Sequence, residues 1–211
     1  MSTETIAKGE SLIMDIKVIR DMAVSMADKV YDMLELTQKG FMEHKTEFLA
    51  SAMKIENELN AMEKLLTRSI LELSGESRKN EKDLVALEQM VEMFERMGDE
   101  AANLVERIEI KIHEKLLFSE AGVEQFNETY NAMKQSVNIM RDFLKAKNSI
   151  LKRRVIDNGF HVKELVERYR KEHANRLVRG MCTQMGANMY FDMLDFTGNL
   201  ARHASNIVKL F

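Results

Sequence analysis

Glu95 and Asp99 stand four residues apart in a run without helix breakers, so on a helix their carboxylates share one face, a turn apart. A neighbouring helix that added oxygens would complete a cage for one hard cation. The spacing alone is a weak signal: with 34 acidic residues in 211, about five such pairs arise by chance, most of them solvated helix faces. The other reactive residue types do not cluster. His44, His113, His161, His173 and His203 are scattered and read as surface or packing residues. Cys182, the one cysteine, has no Cys or His beside it in sequence and reads as an inert thiol near a turn. The chain contains no Gly-x-Gly-x-x-Gly, no Walker-type Gly-Lys-Ser/Thr, no Gly-x-Ser-x-Gly and no His-Glu-x-x-His. A carboxylate-bridged di-iron bundle would need Glu-x-x-His on two helices, and that pattern is also missing. The expectation is a protein that is not an enzyme.

The elements that position these residues are helices. Proline is absent where about ten would be average, and glycine numbers 9 against about 15. Long uninterrupted helices follow, and sandwich, collagen-like and disulfide-stapled architectures are excluded. Apolar residues recur at helical spacing: Met22, Met26, Val30, Met33 and Leu34 form one stripe, and Leu84, Leu87, Val91, Phe94 and Met97 another. The 17 methionines fall largely within such stripes, as Met62, Met90 and Met93 also do, which assigns them to core filling rather than to an adaptable binding face. Breaks are expected at Gly40 to Lys45, Ser74 to Ser77, Ser119 to Gly122, Asp157 to Gly159 and Gly180 to Gly186. They divide the chain into six helices, roughly 11–40, 44–73, 80–118, 121–156, 160–179 and 184–211, with residues 1–10 as a flexible tail. Short connections between long amphipathic helices make antiparallel bundles.

The chain also repeats itself. Phe94 to Val105 lies over Thr197 to Val208 at an offset of 103 residues with its apolar register kept, and Ile55 to Glu63 lies over Asn158 to Val166 at the same offset. Two elements at one offset indicate a duplicated unit of three helices. The expected fold is all-α, two tandem three-helix bundles, with the first repeat over residues 1–118 and the second over 119–211.

Charge is nearly balanced overall, with a formal net of -3, which predicts no bulk attraction to nucleic acid. Locally it is not balanced: Lys145 to Arg179 holds 11 Lys or Arg against 4 acids, leaving -10 on the rest. The plain reading is a helix face paired with acidic neighbours; the sharper one is an anionic partner, a membrane surface or an acidic transporter loop. No stretch approaches the roughly 18 apolar residues of a spanning helix. A single cysteine and the lack of a secretion signal make the expected location cytoplasmic, peripheral to the inner face of the membrane where the basic run engages it.

The run Phe94-Glu95-Arg96-Met97-Gly98-Asp99-Glu100-Ala101-Ala102-Asn103-Leu104 resembles the signature of PhoU proteins, regulators of phosphate uptake, and Ile55-Glu56-Asn57-Glu58-Leu59-Asn60 resembles that family's second-helix motif. In the second half, Tyr169 to Leu177, Tyr190 to Leu194 and His203 to Ile207 follow in an order similar to the PhoU-like cytoplasmic tail of bacterial sodium/phosphate cotransporters. The resemblance implies paired three-helix bundles in which each repeat can hold metal between its second and third helices. Carried over by position, the first repeat keeps Glu56, Glu95 and Asp99, with Asn60 where an Asp is usual. The second repeat has Gly159 and Lys163, then Gly198 and Arg202, at those four places. Two positions have thus become cationic, so at most one metal site is expected, in the first half. All-oxygen ligation favours Mg²⁺, Mn²⁺ or iron over zinc. The implied function is regulation of phosphate transport by binding a membrane transporter or a sensor kinase, as a homodimer. A metal-free helical scaffold and the cytoplasmic domain of a cotransporter are the alternatives.

Overall fold

The computed structural model describes residues 15–76 and 81–211, and in it the chain is six long α-helices. They are α1 (Ile16–Glu43), α2 (Thr46–Glu76), α3 (Glu81–His113), α4 (Glu120–Ala146), α5 (Ser149–Val178) and α6 (Gln184–Lys209). Small polar residues start four of them by accepting a hydrogen bond from a first-turn amide: Asp15 from Lys17, Ser119 from Gly122, Asn148 from Ile150 and Thr183 from Gly186. The helices α1 and α4 each stop at a left-handed residue, His44 and Lys147 respectively. His44 and Lys147 are themselves 103 apart, as are the first residues of α2 and α5 and of α3 and α6. The duplication read from the sequence is therefore a duplication of structure.

Within each half all three helices touch: α1, α2 and α3 pack on one another, and α4, α5 and α6 do likewise. The halves join along α3 against α6 and α1 against α4, while α2 and α5 lie on the outside, each touching only its own half among the described residues. The expected apolar stripes are the core. Met26, Val30, Met33, Leu34, Leu87, Val91, Phe94 and Met97 are all fully buried, each stabilising the fold by about 1.5–3 kcal/mol relative to exposure. The methionines of these stripes pack inward, with Met22, Met62 and Met93 partly buried at the margin. Across the α1–α4 seam, the buried Tyr130 hydroxyl donates to the Leu34 carbonyl at 2.9 Å, and Arg141 pairs with Asp28 at 2.6 Å. Across α3–α6, Asn199 donates to Glu100 at 2.9 Å and Arg107 meets Asp192 at 3.2 Å.

The structure corrects several boundaries. The turn expected at Asp157 to Gly159 is absent; α5 runs straight through it, and the chain reverses ten residues earlier, at Lys147 and Asn148. Gly159 is small for a different reason. A Cβ there would lie closer to Ser205 Oγ than real Cβ atoms come, so glycine is what lets α5 approach α6. Gly40 is likewise inside α1, where a Cβ would collide with the buried Leu49 side chain. The third helix ends at His113, five residues short of expectation, where Lys115 takes a left-handed conformation. Helix α2 extends past Ser74 and Gly75 to Glu76; Ser77 and the expected tail at 1–10 lie outside the described residues.

The basic run is in good part the paired face of the plain reading. Lys145 meets Asp28 at 3.3 Å, Arg153 meets Asp157 at 3.7 Å, Lys163 meets Glu167 at 3.8 Å, Arg168 meets Glu128 at 3.6 Å, and Arg170 pairs with Asp195. No helix among the described residues is long and apolar enough to cross a membrane.

Candidate metal groove and its counterpart in the second bundle

The second-helix positions Glu56 and Asn60 lie a turn apart on α2, and Glu95 and Asp99 a turn apart on α3, the helix that packs against it. Close approach of the two helices comes from Gly98, where a Cβ would stand 3.2 Å from Leu59 Cδ1. Leu59 and Met97 are fully buried beneath the groove, while Glu56, Asn60 and Glu95 are half-buried and Asp99 is exposed. Asn60 donates its amide to Glu56 Oε1 at 2.5 Å, which leaves Asn60 Oδ1 buried with no hydrogen-bond partner. An orphaned acceptor of this kind is costly unless something positive meets it.

The groove has a fifth member that the motif did not supply. Burial raises the Glu95 carboxyl above the usual range, and the negative charges of Asp99 and Glu63 push it further up. Glu63 is on α2, four plus three residues beyond Glu56, so the signal was present as the helical face continued from Glu56 through Asn60. Its Oε1 accepts from Thr67 at 3.0 Å. Among the described residues no three His, Cys, Asp or Glu side chains already form a metal-holding group. Glu95, Asp99 and Glu63 thus repel one another across α2 and α3, while Glu56 and Asn60 are bonded to each other on α2. The donor set of the groove is all oxygen, which fits a hard cation rather than a soft one.

In the second bundle, the positions 103 residues on are brought together as the repeat requires. Gly159, Lys163, Val166, Gly198 and Arg202, the counterparts of Glu56, Asn60, Glu63, Glu95 and Asp99, all line one open cavity of about 430 Å³ between α5 and α6. The Glu63–Glu95 neighbourhood has its parallel in Gly198, where a Cβ would stand 3.4 Å from Val166 Cγ2.

The histidines divide into three exposed ones (His44, His113, His161) and two packing ones. Burial lowers both packing imidazoles to about 4, helped by Arg176 beside His173 and by Arg202 and Arg96 near His203. His173 stacks on Tyr190 at 4.1 Å between ring centroids, and its Nε2 lies 4.0 Å from Cys182 Sγ. Neutral at physiological pH, His173 supplies no charge to activate that thiol.

Two duplicated three-helix bundles side by side define the class: a tandem helical-bundle protein. Residues 23–108 match the PhoU domain model. That segment is therefore a PhoU domain, as the Phe94 to Leu104 run led one to expect. Nearly the whole chain takes the fold. It is similar to the crystal structure of PhoU from Pseudomonas aeruginosa at a TM-score of 0.86, with 16% identity, covering 92% of this chain and 94% of that one. PhoU from Streptococcus pneumoniae, the phosphate transport system regulatory protein, matches at 0.81 with 10% identity and 92% of both chains. A PhoU-like phosphate regulatory protein from Shewanella oneidensis MR-1 matches at 0.61, with 16% identity over 91% of this chain and 96% of that one. No curated protein matches the chain in sequence.

Proposed function

We propose that this protein regulates phosphate transport without being an enzyme, by docking at the cytoplasmic face of the membrane on a phosphate transporter or its sensor kinase. The observation that carries the reading is the PhoU domain over residues 23–108, set in a chain whose fold follows that of PhoU from Pseudomonas aeruginosa over 92% of its length. The first-bundle groove is proposed to hold one metal ion through Glu56, Asn60, Glu95 and Asp99, with Glu63 alongside. A bound Mg²⁺, Mn²⁺ or iron ion would supply positive charge to offset the repulsion among these carboxylates, which Arg96 answers only in part. Asn60 orients Glu56 through its amide and offers its free Oδ1 to the same space. Glu95, its carboxyl held above the usual range by burial and by the charges of Asp99 and Glu63, would lose that repulsion beside a bound cation.

The test is uptake of labelled phosphate by cells of the source organism lacking this gene. Uptake should stay high after a shift to phosphate-rich medium and should fall again when the wild-type chain is restored. Identical uptake with and without the gene would overturn the proposal.

A further inference from the structure

Where the first bundle has four carboxylates and an amide, the second has Gly159, Lys163, Val166, Gly198 and Arg202 around the cavity between α5 and α6. Two physical changes follow from this exchange. Gly198 leaves room, since a Cβ there would stand 3.4 Å from Val166 on the cavity's lining, while Gly159 brings α5 close to α6. The local charge changes sign as well, because the first set carries four negative groups and the second two positive ones.

The cations of this cavity are not all answered by acids. Lys163 pairs loosely with Glu167 at 3.8 Å and Arg170 with Asp195. Among the described residues Lys209 forms no ion pair and donates to the neutral amide of Asn206 at 3.5 Å; Arg202 forms no direct ion pair and donates to the Asn199 amide at 3.0 Å, with Glu100, which accepts from the same Asn199, near enough to feel its charge. The α5 wall carries apolar side chains beside its charges, with Phe160 left 64% exposed near Ile156. A solvent-facing aromatic ring at the edge of a cavity is a flat stacking surface without an occupant. The volume lies within the range of small-molecule sites, about 300–1,000 Å³.

We propose that this cavity binds a small phosphorylated molecule with a flat ring, of the nucleoside phosphate class. The phosphoryl oxygens meet the Arg202 guanidinium, whose planar fork suits two phosphate oxygens at once, with Lys163 and Lys209 adding charge. The ring lies against Phe160. The duplicated bundles thereby differ in kind: the first groove takes a cation and the second an anion.

Isothermal titration of the full chain at about 0.15 M salt, in EDTA so that the acidic groove plays no part, tests this with AMP, ATP, orthophosphate and adenosine as probes. The nucleotides should bind one per chain, and adenosine, lacking the anion, should not. Arg202→Gln should weaken nucleotide binding at least tenfold. Phe160→Ala should weaken it several-fold while leaving orthophosphate unaffected, and Glu47→Gln, exposed on α2 in the other bundle, should change neither. Arg202 and Phe160 are both exposed, and circular dichroism of each variant checks that helicity is retained. No binding of either nucleotide at about 1 mM, the weak end of specific affinities, would overturn the proposal. Nucleotide binding unchanged by Arg202→Gln would do the same, and so would orthophosphate binding as tightly as AMP, which would make the free ion and not its ester the ligand.

Discussion

Replacing Gly159 by alanine places a Cβ against Ser205 Oγ at a distance that neither atom can tolerate, so Ser205 must leave its position beside the Val155 carbonyl. Ser205 is buried, and overpacking of this sort costs about 1–3 kcal/mol. Against it stands a gain of about 1 kcal/mol for alanine over glycine inside a helix. The net expectation is a loss near 1 kcal/mol, which lowers Tm by about 2–4 °C in a chain of this size. In a Ser205→Ala background the colliding oxygen is gone. The nearest remaining atoms, the residue-205 Cβ at 3.5 Å and Ala201 O at 3.7 Å, are ordinary contacts, so the same Gly159→Ala change should now raise Tm by a similar amount. Thermal unfolding of the four proteins in this cycle, followed by far-ultraviolet circular dichroism, gives the coupling between the two sites, expected at about 1–3 kcal/mol. If Gly159 were instead needed for backbone freedom, as a turn glycine is, alanine would be equally harmful in both backgrounds. Additive effects would refute the close-approach argument.

Three further perturbations read other parts of the structure. Tyr130→Phe removes the buried bond to the Leu34 carbonyl across the α1–α4 seam and should cost about 1 kcal/mol in denaturant unfolding; an unchanged midpoint would mean the bond contributes nothing. His173 and His203 are held neutral down to about pH 4, whereas the unfolded chain protonates them near 6.5. Between pH 6.5 and about 5 these two rings should make stability decline as pH falls, by up to about 1.4 kcal/mol per pH unit for each ring; a markedly shallower slope over that interval in a His173→Phe, His203→Phe variant than in the wild type is the expected contrast, and equal slopes would refute it. Glu95→Gln removes a partly buried charge and relieves a like-charge pair with Asp99, the pair alone worth about 0.2–0.5 kcal/mol, and should raise Tm in EDTA by about 0.4–2 °C at neutral pH. Because the folded Glu95 carboxyl is raised, its penalty is absent in acid and grows as pH climbs through and above the usual carboxylate range, so the advantage of the variant should vanish on acidification. A Tm that falls in EDTA would count against the repulsion described for the groove.

Much of this architecture was legible because the same packing problem is solved twice. Ala101 and Ala204, Leu104 and Ile207, and Val105 and Val208 are buried in corresponding places, and the offset of 103 that joins them in sequence joins the helix starts in space. Local signals failed where one residue type serves two purposes. Gly159 has the composition of a turn, and only its contact with Ser205 across the α5–α6 interface shows that it sits inside a helix. The true reversal at Lys147 relies on a lysine with φ of 51°, which no propensity would choose; Asn148, capping the next helix, was the one readable sign. In the groove, Glu95 and Asp99 were visible as a pair, whereas Glu63 becomes a neighbour only through the packing of α2 on α3. The sequence likewise showed that the second repeat had lost its carboxylates. That the exchanged residues enclose a cavity is a property of two glycines facing each other's helices, and so of the tertiary structure.

Metal stoichiometry is the most direct measurement of the asymmetry between the bundles. Protein purified without chelators, incubated with Mn²⁺ and passed through a desalting column, should carry about one metal per chain by plasma mass spectrometry, as expected for a hard-cation site of oxygen ligands. Asp99→Asn combined with Glu95→Gln should carry none, with its helicity intact. Two metals per chain, or one metal retained in the double variant, would contradict the assignment of the cation to the first groove, and no metal in the wild type would contradict the presence of a cation site at all.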